Sequence, residues 1–261
     1  MKIGFDISSL FQEPVTVLDF ETSKSMDNEP GIPIQIGCIQ YGGNGQIART
    51  SKYIYQRNYE PEMDILCVKG VRTSIAELTG IYSSHLRSQE YDSQRILPSE
   101  ILDLNITNSI IVGYNIPYDV RVLQQVYKSA GLVFPEVKIF DLMSVYIDLY
   151  GQMKMGVGKN GKCFYTEYRL ADAAHVFGVA DSKQRLHDAL GDVDLTVAVF
   201  RKIYEDNPSL RYSNYINKIY YNPNYPIPMW QRLRGTEYYS FGSEKGEAEL
   251  CPRQTLYNSS K

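Results

Sequence analysis

The chain is 261 residues long and has few cysteines, histidines and tryptophans, with four, three and one respectively. The cysteines stand at 38, 67, 163 and 251, and no two form a CxxC pair. That spacing excludes a zinc ribbon and a thioredoxin-type redox motif. Three of the four lie in apolar or mixed surroundings and read as reduced thiols. No apolar run approaches the ~18 residues that a membrane span needs. The N-terminal MKIGFDISSLFQEP lacks the apolar core of a signal peptide. The expectation is an intracellular, cytoplasmic protein with no membrane partner. Neither sign of charge dominates. The net charge of −3 disfavours, on its total, a wholly basic nucleic-acid binder. Hydrophobic residues make up 43% and charged residues 22%, which excludes disordered and fibrous classes. A chain of this length buries a full core without disulfides or a structural metal.

Apolar, β-branched runs and tyrosines are plentiful. VTVLDF (15–20) reads as a buried strand. IQIGCIQY (34–41) and QIARTSKYIYQ (46–56) flank GGNG and read as a hairpin. Helical patches broken by polar loops follow over 73–104. SIIVG (109–113) is a short buried strand, and DVRVLQQVYKSAG is a helix with Gly131 as its C-cap. VKIF (137–140) is a further strand. DLMSVYIDLYG is a helix closed by Gly151, and YRLADAAHVFGV one that ends at Gly178. Residues 187–206 form a long amphipathic helix. Leading strands followed by strand–helix alternation predict an α/β sandwich with a mixed sheet.

Three acidic clusters have chemical potential. Asp19 and Glu21 lie two apart at the end of the first strand, so both carboxylates project to one face. Held together, two like charges need something positive between them, and oxygen ligands suit Mg²⁺ or Mn²⁺. A solvated strand end is the plainer reading of a lone D-x-E. Asp119 stands in the first turn of a helix, where an acid complements the helix dipole. In HDALGDVD (187–194), His187 precedes a helix and Asp192 lies inside it. Asp188 reads as the acid of the N-terminal turn and Asp194 as a solvent-facing one.

In order, the clusters read VLDFET, VGYNIPYD and HDALGD. The set resembles the DnaQ-like 3′–5′ exonucleases of the DEDDh subgroup, which carry four acids and a histidine. The first motif matches at Asp19, Glu21 and Thr22. The second matches at Asn115, Tyr118 and Asp119, with tyrosine where phenylalanine is commoner. The third matches at His187, Ala189 and Asp192, and its spacing selects Asp192 over Asp188 and Asp194. IAELTGI (75–81) looks like the family's segment between the first two motifs. The likeness covers roughly 15–206.

The resemblance implies an RNase H-like three-layer α/β/α sandwich with a central five-stranded mixed sheet. With the change to basic, tyrosine- and proline-rich composition after 206, the chain divides into an expected exonuclease domain, 1–206, and a C-terminal extension, 207–261. The resemblance also implies a metal-dependent hydrolase that removes nucleoside 5′-monophosphates from the 3′ end of DNA, single strands preferred. The cofactors would be two divalent ions, Mg²⁺ or Mn²⁺, about 4 Å apart. Asp19, Glu21 and Asp192 would hold the first ion, Asp19 would bridge to the second and Asp119 would support it. His187 would take a proton from the attacking water, a task suited to a group with an ordinary pKa near 6.5. Phe20, Thr22, Asn115 and Tyr118 would line the pocket of the terminal nucleotide, with core packing the alternative for Phe20 and Tyr118. RNA 3′ ends or short oligonucleotides are the alternative substrate. A proofreading subunit whose extension docks a polymerase or another replication or repair protein is the alternative role.

Other segments only resemble sites. GVGKNGKC (156–163) is nearly a phosphate-binding loop, but it follows a helix and has Cys163 at the Ser/Thr position. It reads as the turn of a hairpin, MKMGVG–KNGK–CFYTEY. Asp6 has no second acid beside it. Asp141 and Asp172 read as helix caps, His85 as a surface residue and His175 as a core one. Residues 207–234 hold Arg211, Lys218, Arg232 and Arg234 and no acid, interleaved with tyrosines. The four candidate acids contribute −4, so the rest of the chain carries +1. An acidic centre with basic flanks is therefore hidden in the total.

Overall fold

In the computed structural model the described residues are 6–25, 29–43, 45–68, 70–150, 153–154, 164–165, 169–179 and 187–219. In chain order the regular elements are α1 (Ser8–Phe11), β1 (Val15–Thr22), β2 (Pro33–Gly42), β3 (Gly45–Ile54), β4 (Ile65–Val68) and β5 (Val71–Ser74). Next come α2 (Ile75–Thr79), α3 (Ser83–Arg87), β6 (Arg95–Ile96), β7 (Ile110–Gly113), α4 (Pro117–Ser129), β8 (Val137–Asp141) and α5 (Leu142–Tyr150). The last are β9 (Met153–Lys154), β10 (Phe164–Tyr165), α6 (Leu170–Val176), α7 (Ala189–Asp206) and β11 (Ile216–Ile219).

The central sheet runs β11-β8-β7-β1-β2-β3-β6. β1, β7 and β8 are parallel to one another, and β2 and β3 extend the sheet as an antiparallel meander. Those five strands are the expected mixed sheet. The full sheet has seven because β6 pairs with the β3 edge and β11 with the β8 edge. A two-residue strand has no periodicity to read, and β11 comes from the segment read as a separate extension.

The alternation of β1 divides the core. Val15 and Val17 pack with α5, α6 and α7 on one face, while Leu18 and Phe20 pack with α4 on the other. The result is the three-layer α/β/α sandwich. The same alternation puts Asp19 and Glu21 on the α7 side. Gly113 brings β7 against β1, since a Cβ there would lie 2.9 Å from the Leu18 carbonyl oxygen.

Some local expectations are corrected. The helical patches over 73–104 are short turns, and strands join them: the ribbon β4–β5 runs to Ser74 and β6 lies at Arg95–Ile96. α4 begins two residues early because Pro117, with its φ preset, sits in the first turn. The segment from 207 is joined to the core as far as it is described. Tyr212 is buried, its ring 5.5 Å from that of Phe200, and β11 completes one sheet edge. His175 is exposed, because it lies on the outer face of α6 opposite buried Ala173 and Ala174. His85 is half-buried among Tyr53, Tyr82 and Tyr91, and its Nδ1 accepts from the Tyr82 amide. β9 and β10 pair antiparallel as the flanks of the expected hairpin. The turn at 155–163, Gly151 and the basic, tyrosine-rich stretch from 220 onward lie outside the described residues. Among the described residues, no helix is long and apolar enough to cross a membrane.

Candidate active site

Three motifs far apart in the chain meet at the end of β1. β1 carries Asp19 and Glu21 into the space beneath the N-terminus of α7. α4 supplies Asp119, which is buried and accepts a 2.9 Å hydrogen bond from the Phe20 amide. α7 supplies Asp192 from its first turn. His187 sits just before that helix with φ +67°, the left-handed region that a residue with a Cβ seldom adopts. Oxygens of Glu21 and Asp192 and a ring nitrogen of His187 lie within 4.8 Å of one another.

The electrostatics are those of a crowded, desolvated acid cluster. Burial, then the charges of Asp119, Glu21, Asp192 and Asp188, hold the Asp19 carboxyl well above the usual range. Burial and the Asp192 charge push Glu21 up to about 8. Burial pushes Asp119 to about 8 against the opposing bond from the Phe20 amide, and Asp192 to about 6. Burial and the charge of Arg169 lower His187, which favours its neutral form at neutral pH. Asp192 Oδ1 is a buried side-chain oxygen with no hydrogen-bond partner. An orphaned carboxylate oxygen beside three further acids fits divalent cations, which would neutralise the repulsion and fill the unused acceptor. The set of hard oxygens and one imidazole suits Mg²⁺ or Mn²⁺.

The four residues expected to line a nucleotide pocket are placed differently from one another. The Phe20 side chain is buried in the α4-side core and joins the site through its amide. Asn115 holds a left-handed turn at φ +63°, with its amide on Asp141 Oδ1 at 2.9 Å and its carbonyl receiving the Tyr118 amide. Asparagine tolerates that conformation well. The Tyr118 hydroxyl lies 2.7 Å from Thr22 Oγ1 and 3.0 Å from Ser25 Oγ, and accepts from the Gly31 amide. Tyr118 therefore ties together both ends of the loop that follows β1.

Asp188 is the N-cap of α7, accepting from the Gly191 amide at 3.0 Å. Asp194 forms an exposed pair with Arg49. Asp172 closes a capping box at α6. Asp6 Oδ1 caps α1 through Ser8. Asp141 does more than cap, since it is buried and accepts from Asn115, Met143 and Ser144. Sequence reasoning also missed Gln35. An amide inside the apolar run PIQIG was the available signal.

The family model for the RNase_T exonucleases matches residues 16–200. The chain belongs to that exonuclease family. That family is DnaQ-like and belongs to the RNase H-like superfamily. Among solved structures, the chain is similar to E. coli Exonuclease I in complex with a dT13 oligonucleotide, at 18% identity and a TM-score of 0.52. That likeness covers 76% of this chain and 42% of Exonuclease I, so the chain spans less than half the length of that relative. Exonuclease X in complex with 5′-overhanging duplex DNA is also similar, at 13% identity and a TM-score of 0.48, over 76% of this chain and 95% of the other. No curated protein matches the sequence.

Proposed function

We propose that this nuclease is a metal-dependent 3′–5′ exonuclease. It acts on DNA, single strands preferred, and releases nucleoside 5′-monophosphates. The observation that carries the reading is the meeting of the mutually repelling acids Asp19, Glu21, Asp119 and Asp192 in one cluster, with His187 at its exposed rim. Asp19, Glu21 and Asp192 would hold one divalent ion, and Asp119 with Asp19 would support a second. When bound, the two ions activate the attacking water and stabilise charge on the phosphate and the leaving 3′ oxygen. The chain's own residues do the rest. The four carboxylates fix where the ions would sit at the end of β1, and so where the reacting phosphate would lie. His187, at the exposed rim, takes the proton of the attacking water, and its lowered pKa keeps the imidazole unprotonated and available for that role. Thr22 and Tyr118 form the wall beside the first motif, where an unpaired terminal nucleotide fits. The dT13 bound by Exonuclease I makes single-stranded DNA the substrate of first choice.

The test is one panel of 5′-labelled single- and double-stranded DNA and RNA, with Mg²⁺, Mn²⁺ or EDTA. The expected result is a ladder of strands shortened from the 3′ end, fastest on single-stranded DNA and absent in EDTA. Release of the labelled 5′ nucleotide first, or digestion that persists in EDTA, would overturn the reading.

A further inference from the structure

The third motif has to be held at a fixed distance from the first, and β2 lies between them in register. Gly37 is the cross-strand partner of Asp19, and Gln35 is the partner of Glu21. By the period of a strand, Gln35 and Gly37 share the face of β2 that looks toward α7. Gly37 leaves that face bare. A Cβ there would lie 2.4 Å from the backbone of Ala189 and Leu190, so the first turn of α7 rests directly on the strand. Gln35 is 4% exposed and uses both ends of its amide. Its Nε2 donates to Asp188 Oδ1 at 2.8 Å, and its Oε1 accepts from the Ala189 amide at 3.1 Å. The other Asp188 oxygen accepts from the Gly191 amide at 3.0 Å. The residue before this clamp is His187, and the residue one helical turn beyond it is Asp192.

Gln35 lies outside the three motifs, and Asp188 fills only the unspecified second position of H-x-A-x-x-D. Resting on the exonuclease reading, we propose that Gln35 and Asp188 are positioning residues that lock the His187–Asp192 segment to the strand beside Asp19 and Glu21. The pairing is directional. An amide nitrogen at 35 meets a carboxylate at 188, while an amide oxygen at 35 meets a backbone N–H. Gln35→Glu sets two carboxylates face to face. Asp188→Asn sets two amide nitrogens face to face, because its oxygen is held by Gly191. Combined, the two changes restore every bond with donor and acceptor exchanged between the side chains.

The experiment compares full-length wild type, Gln35→Glu, Asp188→Asn and the double variant. It reads kcat and KM on a labelled single-stranded oligonucleotide with Mg²⁺, and the thermal midpoint in EDTA. Each single change is expected to lower kcat at least ~10-fold at a nearly unchanged KM, the cost of a misplaced catalytic segment. The double variant is expected to recover kcat to within about 3-fold of wild type, with its thermal midpoint restored as well, because the two sites are directly coupled. Single variants with wild-type kcat, or a double variant as slow as the slower single, would overturn the proposal. Should wild type release no nucleotide, the exonuclease reading fails instead. The clamp is then read from the midpoints alone, where recovery in the double supports it and additive losses overturn it.

Discussion

Replacing Asp192 by asparagine separates the cost of the acid cluster from its use. Its carboxyl is raised from 3.8 to about 6, first by desolvation and also by the Asp188 charge, against the opposing bond from the His187 amide. At 1.36 kcal/mol per pH unit, that difference is worth about 3 kcal/mol against the folded, ionised state. Asp192 is only half-buried, so solvent screening reduces the figure to about 1–3 kcal/mol. Asparagine keeps an oxygen for the His187 amide and removes the charge. Its NH₂ can donate to a neighbouring carboxylate from the place where Oδ1 has no partner. At pH 8 in EDTA, Asp192→Asn is therefore expected to melt roughly 2–12 °C above wild type. The sign follows from linkage. A carboxyl whose folded pKa is raised destabilises the fold once pH exceeds its unfolded value, so the gain shrinks toward pH 4. With Mg²⁺ the order is expected to reverse or close up, because wild type gains a ligand-bound state that the variant binds weakly. Hydrolysis by the variant should fall at least ~100-fold. Differential scanning fluorimetry over pH 4–9, with and without Mg²⁺, reads all of this. A variant less stable than wild type at pH 8 in EDTA, or a gain that is the same at pH 4 and pH 8, would refute the reasoning.

Other expectations follow from the same geometry. His187→Ala should cut turnover at least ~100-fold, the scale of a positioned acid–base group, while leaving the thermal midpoint nearly unchanged. Glu21 and Asp119 are both raised to about 8, so the folded metal-free protein keeps protons that the unfolded chain releases. Its thermal midpoint should fall as pH rises from about 4 through 8, and Mg²⁺ should oppose that fall; a midpoint that climbs over this range in EDTA contradicts the cluster. Tyr118→Phe removes the hydroxyl that contacts Thr22, Ser25 and Gly31, and should raise KM for oligonucleotides with a stability loss of about 1 kcal/mol. Tyr212→Ala should cost about 3–5 kcal/mol by denaturant unfolding, because that ring fills the core between Phe200 and Tyr204.

The residues expected at the site were legible where local spacing fixes geometry. A two-residue period puts Asp19 and Glu21 on one face, and a first-turn position explains Asp119. The H-x-A-x-x-D spacing separates Asp192 from Asp194, which the structure pairs with Arg49 on the surface. Features that depend on non-local pairing were not legible. Gln35 matters through its register opposite Glu21 and its bonds to a helix more than 150 residues away. Asp141 looked like a cap because its bond to Asn115 crosses from β8 to another loop. β11 was hidden because tyrosines such as Tyr212 and Tyr215 look alike in sequence whether they serve a partner or pack on Phe140. His175 shows the limit of the apolar pattern of α6, where the buried face belongs to the alanines beside it.

The most direct measurement is release of labelled mononucleotide from a 3′-end-labelled single DNA strand in Mg²⁺, by wild type and by Asp19→Ala at equal concentration. Asp19 stands at the centre of the acid cluster, among the charges of Asp119, Glu21 and Asp192. The account predicts nucleoside 5′-monophosphate as the first wild-type product and a release at least ~100-fold slower from the variant. Release by Asp19→Ala at the wild-type rate would contradict it.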